Sequence, residues 1–253
     1  MRVAIAGGTG VVGCHAADAA EAAGHDVVVL TRHSGVDVAT GAGLGAALDG
    51  VDVVIDTLNV MTMRGSTAEQ FFVATARNLQ EAAARSNVPH IVTLSIVGID
   101  RVPGYPYYRA KLAQEQAMKA GTVPVTILRA TQFHEFPVQV MRFARRGPLT
   151  FVPRLRSQPV AARTVGEHLV RLATEQPGGT HELAGPEVHD ISDLARRFAA
   201  VHGPRLRIVP VPVPGKSGRQ IRRGALLATD GTTVDGPTFD QWLAGADVAR
   251  VRF

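Results

Sequence analysis

A chain of 253 residues is long enough to bury a large core, and its 45% hydrophobic and 19% charged content excludes disorder as the default. No apolar run reaches the roughly 18–20 residues that a membrane-crossing helix needs. The net charge of +5 rests on 24 arginines and only three lysines, scattered without a basic tail or stripe, so neither a nucleic-acid nor a membrane partner is expected.

The strand and helix signals alternate from the first residues. "RVAIA" reads as a buried strand, followed by an Ala-rich helix from Gly10 to Ala23 that Gly24 stops. "HDVVVLTR" and "VDVVIDT" are the next strands, separated by a small helical patch at Leu44–Leu48. Thr67 is read as the cap of a long helix, "PHIVTLS" as a fourth strand, Pro106 as the first residue of another helix and "VPVTILRA" as a fifth strand. This order predicts an α/β doubly wound parallel sheet, a Rossmann-like core over residues 1–131. Residues 132–253 are expected to form a smaller substrate-binding or lid region interleaved with it. There a short strand is predicted near Gln158–Ala162, a helix capped by Thr164, a helix from Ser192 to His202 and a short helical "TFDQWLA". Arg205–Pro214, interrupted by prolines, is at most an edge strand or an extended connection.

"AIAGGTGVVG" places Gly7, Gly10 and Gly13 between the first strand and its helix, with Thr9, Val11 and Val12 among them. Glycine there permits a tight turn and close approach of a pyrophosphate, which the helix N-terminus then binds through its free amides. The second strand ends "VVVLTRHS", with Arg32 where an NAD-selective site carries an acid. A guanidinium suits a 2′-phosphate, so NADP(H) is preferred over NAD(H), although Asp37 lies close in sequence. Thr57 and Asn59, at the C-terminal end of the third strand, either line the adenosine or cap their own loop. Cys14, the single cysteine, makes no disulfide and no metal site by itself, as a reducing cytoplasm would favour.

All three tyrosines fall in "GYPYYRAKLAQEQ". Tyr107 and Lys111 are four residues apart, hence on one helix face. An ammonium beside a phenol favours the phenolate and turns a group of pKa ~10 into a usable proton donor and acceptor. Ser95, ending the fourth strand, is placed to hydrogen-bond a substrate carbonyl. A helix-start tyrosine serves packing just as readily, and Tyr108 competes with Tyr107.

With these pieces in order, the sequence resembles the short-chain dehydrogenase/reductase superfamily, in particular its atypical NmrA-like branch of NAD(P)-binding proteins. "AGGTGVVG", "VVVLTR", "VTLSIVGID", "YYRAKLAQEQ", "TILRATQFHEF", "LAGPE" and "VPVPGKSGRQIRRGALL" carry the likeness over most of the chain. The resemblance implies Ser95, Tyr107 and Lys111 as catalytic residues, with Lys111 also on the cofactor, and Gly7, Thr9, Gly10, Thr31 and Arg32 around the dinucleotide. The expected activity is NAD(P)H-dependent reduction of a carbonyl, quinone or enone on an apolar, aromatic or polyketide-like small molecule. Since some members of the branch bind the dinucleotide without catalysis, a redox sensor is the alternative. Four phenylalanines crowd between Phe133 and Phe151; Phe133 and His134 either touch the substrate or belong to the core. A homo-oligomer is left open.

Overall fold

The computed structural model describes residues 1–62, 64–202 and 206–251. In chain order the first half contains β1 (Arg2–Ala6), α1 (Gly13–Ala22), β2 (Asp26–Leu30), α2 (Leu44–Ala47), β3 (Val53–Asp56), α3 (Gly65–Arg85), β4 (Ile91–Ile96), α4 (Pro106–Lys119) and β5 (Val125–Ala130). Next come α5 (Phe136–Ala144), β6 (Arg145–Arg146), β7 (Leu149–Arg154), β8 (Arg156–Ser157), α6 (Ala162–Ala173), β9 (Thr180–Ala184) and β10 (His189–Asp190). The chain continues through α7 (Ile191–His202), β11 (Arg207–Pro212), α8 (Gly215–Arg222), β12 (Thr233–Val234) and α9 (Phe239–Ala244).

Seven strands form one parallel sheet in the order β12-β9-β5-β4-β3-β1-β2, flanked by helices: the α/β Rossmann-like fold. β1 pairs with β2 on one side and β3 on the other, through registers such as Val3↔Val27 and Val3↔Val53. The winding therefore reverses at β1, and the crevice at the carboxyl ends of β1 and β3 is where such sheets bind ligands. All four β3 residues are buried, as expected of a strand covered on both faces.

The chain divides into two compact units. The first comprises Met1–Ile96, Tyr105–Arg129 and Arg163–His181; the second comprises Val97–Gly104, Ala130–Ala162 and Glu182–Phe253. In the first, Leu44, Leu48, Leu79, Ile91 and Met118 belong to one buried apolar cluster, while Ala68, Phe72 and Ala110 form another between α3 and α4. In the second, β7 pairs in parallel with β11 and antiparallel with β6, and α5 and α7 pack on this small sheet.

Several element boundaries differ from those the sequence predicts. α1 starts at Gly13 rather than Gly10, because Gly7–Val12 form the turn. α3 starts at Gly65 with Arg64 as its extended N-cap residue, which leaves Thr67 inside the first turn. The start is set by packing, since a Cβ on Gly65 would lie 2.5 Å from Pro106 Cβ. α6 starts at Ala162, two residues before Thr164. The Ala162 amide donates to Glu135 Oε2 at 3.3 Å, so a carboxylate distant in sequence does the capping. Around Gln158–Ala162 there is only the bridge Phe133↔Val160, after the two-residue β8. β11 is the expected edge strand of its sheet, and Arg205 lies outside the described residues.

His134 is a core residue of the second unit. It is 1% exposed, its ring centroid lies 5.5 Å from Phe239 and 5.6 Å from Trp242, and Nε2 pairs with the Pro237 carbonyl at 3.0 Å. Burial pulls its pKa down to about 4. A depressed folded-state value means that the unfolded chain takes up the proton first, so this residue's contribution is intact above pH ~6.5 and disappears as pH falls towards 4. The adjacent Glu135, pushed up to about 7 by burial, has the opposite dependence, which a wild-type-against-variant comparison cancels. Thermal unfolding of His134→Gln at a series of pH values should show a gap to wild type that narrows steadily between pH 6.5 and 4.

Candidate active site

The glycine turn is built by near contacts that side chains would forbid. Gly7 has φ +80°, and a Cβ on Gly13 would stand 2.2 Å from the Gly7 carbonyl oxygen. Thr57 closes the turn from β3: its hydroxyl donates to the Ala6 carbonyl at 2.9 Å, and its Oγ1 lies 2.7 Å from where that Gly13 Cβ would be. Gly10 N–H donates to Gly7 O at 2.8 Å, whereas the amides of Thr9, Val11 and Val12 have no partner among the described residues. Three unpaired amides where a helix begins form a cradle that fits a pyrophosphate.

At the end of β2, Thr31 caps a single turn spanning Arg32–Ser34, its hydroxyl accepting from Ser34 N–H at 3.1 Å. Arg32 is exposed and its guanidinium has no partner among the described residues. The Asp37 carboxylate instead accepts from Ala39 N–H at 2.9 Å within its own turn.

Pro106 is the first residue of α4, as predicted, which puts Tyr107 in the first turn and Lys111 one turn later. The Tyr107 hydroxyl donates to Asn59 Oδ1 at 2.6 Å, and its ring meets Phe72 edge-on at 5.8 Å. Asn59, expected either to line the adenosine or to cap its own loop, accepts from Val60 N–H at 2.8 Å as well as from the phenol, while Thr57 serves the glycine turn. Lys111, 5% exposed, donates to the Leu94 carbonyl at 2.9 Å and to Gln114 Oε1, and its ammonium lies 4.7 Å from the Phe72 ring centroid. The heads of Tyr107 and Lys111 therefore have different hydrogen-bond partners. Burial pushes the phenol up to about 12 and pulls the lysine down to about 8. The expected lowering of the phenol by the lysine is not found: desolvation raises it, and what opposes that rise is the hydrogen bond to Asn59. Tyr108, stacked on Tyr105 with centroids 4.7 Å apart, is also raised by burial.

Buried polar groups that the sequence motifs do not single out hold this geometry. Gln114 Nε2 donates to Asp56 Oδ2 at 2.8 Å, so Lys111, Gln114 and the fully buried Asp56 form one chain. Burial raises the Asp56 pKa, and the Lys111 charge opposes that rise. One residue along the helix, Glu115 accepts from Ser95 Oγ at 2.5 Å and from Arg129 through both oxygens, at 2.9 and 2.8 Å. Ser95 is 2% exposed and gives its proton to Glu115, not to open space. A signal did exist: in "KLAQEQ", Gln114 and Glu115 lie three and four residues beyond Lys111, on its helix face.

A cavity of about 190 Å³ adjoins Tyr107, lined also by Thr62, Gly65, Ala68, Tyr105 and Pro106. Phe133 and His134 belong to the second unit; Phe133 is half-buried and His134 is in the core described above. Among the described residues no group of three or more His, Cys, Asp or Glu is arranged to hold a metal.

A family model described as NAD(P)H-binding matches residues 34–176. No curated protein matches the sequence significantly. Among solved structures, the chain is similar to a short-chain dehydrogenase/reductase superfamily protein from Agrobacterium tumefaciens with bound NAD, at 20% identity, covering 99% of this chain and 97% of that one with a TM-score of 0.67. It is also similar to an NADPH-dependent quinone oxidoreductase from Escherichia coli complexed with NADPH, at 17% identity, coverage 96% and 98%, TM-score 0.71. A third is the Citrobacter sp. triphenylmethane reductase complexed with NADP(H), at 18% identity, coverage 91% and 93%, TM-score 0.66.

The lysine's burial gives a stability signature. With a folded-state pKa of about 8 against 10.5, the unfolded chain binds more protons in that window, so stability rises with pH there. Between pH 8 and 10, Lys111→Met should remove a rise in unfolding free energy of up to about 3 kcal/mol, measured by denaturant titration.

Proposed function

Given that the chain belongs to the NAD(P)H-binding family, we propose that it is an NAD(P)H-dependent reductase of a carbonyl, quinone or enone on an apolar small molecule. The observation that carries this reading is the Tyr107 hydroxyl in the first turn of α4, beside a cavity of about 190 Å³ and hydrogen-bonded to Asn59 Oδ1. The phenol is protonated through the neutral range and so has a proton to give to a developing alkoxide or enolate, although burial makes it a weaker acid than a free phenol. A bound nicotinamide would supply the hydride. The amides of Thr9, Val11 and Val12 would hold the pyrophosphate, with Gly7, Gly10 and Gly13 allowing its approach. Arg32 would take the 2′-phosphate, the basis for preferring NADP(H). Lys111 would hold the nicotinamide ribose after exchanging one of its present acceptors. Ser95 would act through Glu115 and Arg129, fixing the end of β4 against α4. The walls of the Tyr107 cavity are two tyrosine side chains, a proline ring, Ala68, Gly65 and Thr62, a mostly apolar lining that suits a flat acceptor.

A second reading is a dinucleotide-binding regulator without chemistry. It is favoured by one feature, that the Tyr107 and Ser95 hydroxyls both donate to protein acceptors, Asn59 and Glu115.

NADPH oxidation measured against a panel of quinones and aromatic ketones separates the two. Tyr107→Phe should lower kcat by roughly 10²–10⁴-fold while leaving NADPH binding near wild type, the usual contribution of a positioned general acid. Activity that survives the substitution would remove Tyr107 from the mechanism, and no turnover by wild type across the panel would favour the regulator. Arg32→Ala should weaken NADPH by roughly tenfold or more in fluorescence titration, as expected for loss of a charge-assisted bond, and leave NADH little changed. Equal losses for both nucleotides would refute the 2′-phosphate role.

A further inference from the structure

The chain's positive charge is not spread evenly through the fold. The second unit contains sixteen basic and ten acidic residues, the first eleven and twelve. Two stretches within the second unit's segments produce the excess. Residues 136–162 contain five arginines and no acid, and residues 194–229 contain seven arginines, one lysine and no acid. These stretches supply β6 and β7, and β11, which pair into one three-stranded sheet in the order β11-β7-β6.

The register determines what each face of this sheet presents. Thr150 and Val152 are buried on the side where α5 and α7 pack. Leu149, Phe151 and Pro153 alternate with them and so lie on the opposite face. Opposite those three on β11 are Arg207, Val209 and Val211, and Arg146 of β6 pairs with Leu149. This face therefore has an aliphatic and aromatic centre with arginines beside it. Phe151, 39% exposed, stands among the half-buried Leu149, Pro153, Val209 and Val211. Arg146 and Arg207 are exposed, and neither is paired with a carboxylate among the described residues.

We propose that this outward face of the three-stranded sheet is a docking surface for a bilayer containing anionic lipid, with Phe151 entering the headgroup boundary and Arg146 and Arg207 meeting lipid phosphates. Charge complementarity selects the occupant. A second copy of the same face would bring arginines against arginines, so symmetric self-association through it is opposed. A single-stranded nucleic acid would use the arginines and stack on the phenylalanines, but it offers nothing to Leu149, Pro153, Val209 and Val211. An acyl-chain boundary beneath an anionic headgroup layer satisfies both the apolar centre and the cationic rim. The contact is peripheral, and among the described residues no helix is long and apolar enough to cross a membrane. It is also independent of the reductase reading, because it uses none of the first unit's residues.

Co-sedimentation of the full chain with vesicles of phosphatidylcholine alone, or mixed with phosphatidylglycerol, tests the proposal. Binding is expected to the mixed vesicles at low salt, to fall sharply at high salt, and to be at least roughly tenfold weaker on the neutral vesicles. Replacing Arg146 and Arg207 together by Gln should weaken binding by about 25-fold, at roughly fivefold per arginine near an anionic surface. Phe151→Ser should weaken it further without lowering Tm, since this ring is solvent-exposed. Three outcomes would each overturn the proposal: equal binding to neutral and anionic vesicles, no binding to either, or affinity for a single-stranded oligonucleotide with none for vesicles.

Discussion

The burial of charge on one face of α4 constrains the rest of the first unit. Lys111, Gln114 and Glu115 all face inward, each 5% exposed or less. A buried charge is tolerated only when it is paired and its remaining hydrogen-bonding capacity is filled. Lys111 and Gln114 reach Asp56 at the end of β3 and the Leu94 carbonyl in β4, while Glu115 reaches Ser95 in β4 and Arg129 in β5. Helix α4 is thus pinned to three adjacent strand ends by groups that cannot slide one residue without leaving a charge unpaired. Breaking a pair such as Arg129–Glu115 would cost about 3–5 kcal/mol, mostly from the stranded partner.

The placement of the candidate chemistry follows from that pinning. Once α4 is fixed, the first turn holds Tyr107 against the buried Phe72, with its hydroxyl on Asn59. Asn59 follows β3 directly, so the phenol is referenced to the strand whose Thr57 closes the glycine turn. The dinucleotide cradle and the candidate proton donor share β3 as a common support. Desolvation then determines the donor's character: the apolar surroundings that locate Tyr107 also keep it protonated.

The second unit handles buried polar groups differently. Glu135 caps α6, and His134 is held neutral between Phe239 and Trp242. Its unpaired charge is confined to the surface, where it creates a field instead of fixing a helix. Asp193 and Asp240 are already paired with Arg196 and Arg197, but Arg146 and Arg207 on the small sheet have no carboxylate partner among the described residues.

The alternation of apolar strands with helices determined the α/β class, because a period of two or of 3.6 is a local property that survives without tertiary contacts. The glycine turn was legible for a related reason: positive φ and backbone contacts within a few residues leave their mark in "GGTGVVG". The Tyr107–Lys111 spacing and the helix start at Pro106 were also visible in the sequence. The partners of those side chains were not. Lys111 could be assigned to the phenol or to a distant carboxylate, and only the strand order that brings Asp56 and Leu94 beneath α4 decided it. Likewise Ser95 reads as a strand-end donor until Glu115 approaches within 2.5 Å, and Thr164 as a cap until Glu135 arrives first. The gathered arginines are the plainest case. They are scattered along the chain, and they come together only because β7 and β11, more than fifty residues apart, pair in register. Hydrogen bonding and desolvation depend on distance in space, which a linear sequence does not record.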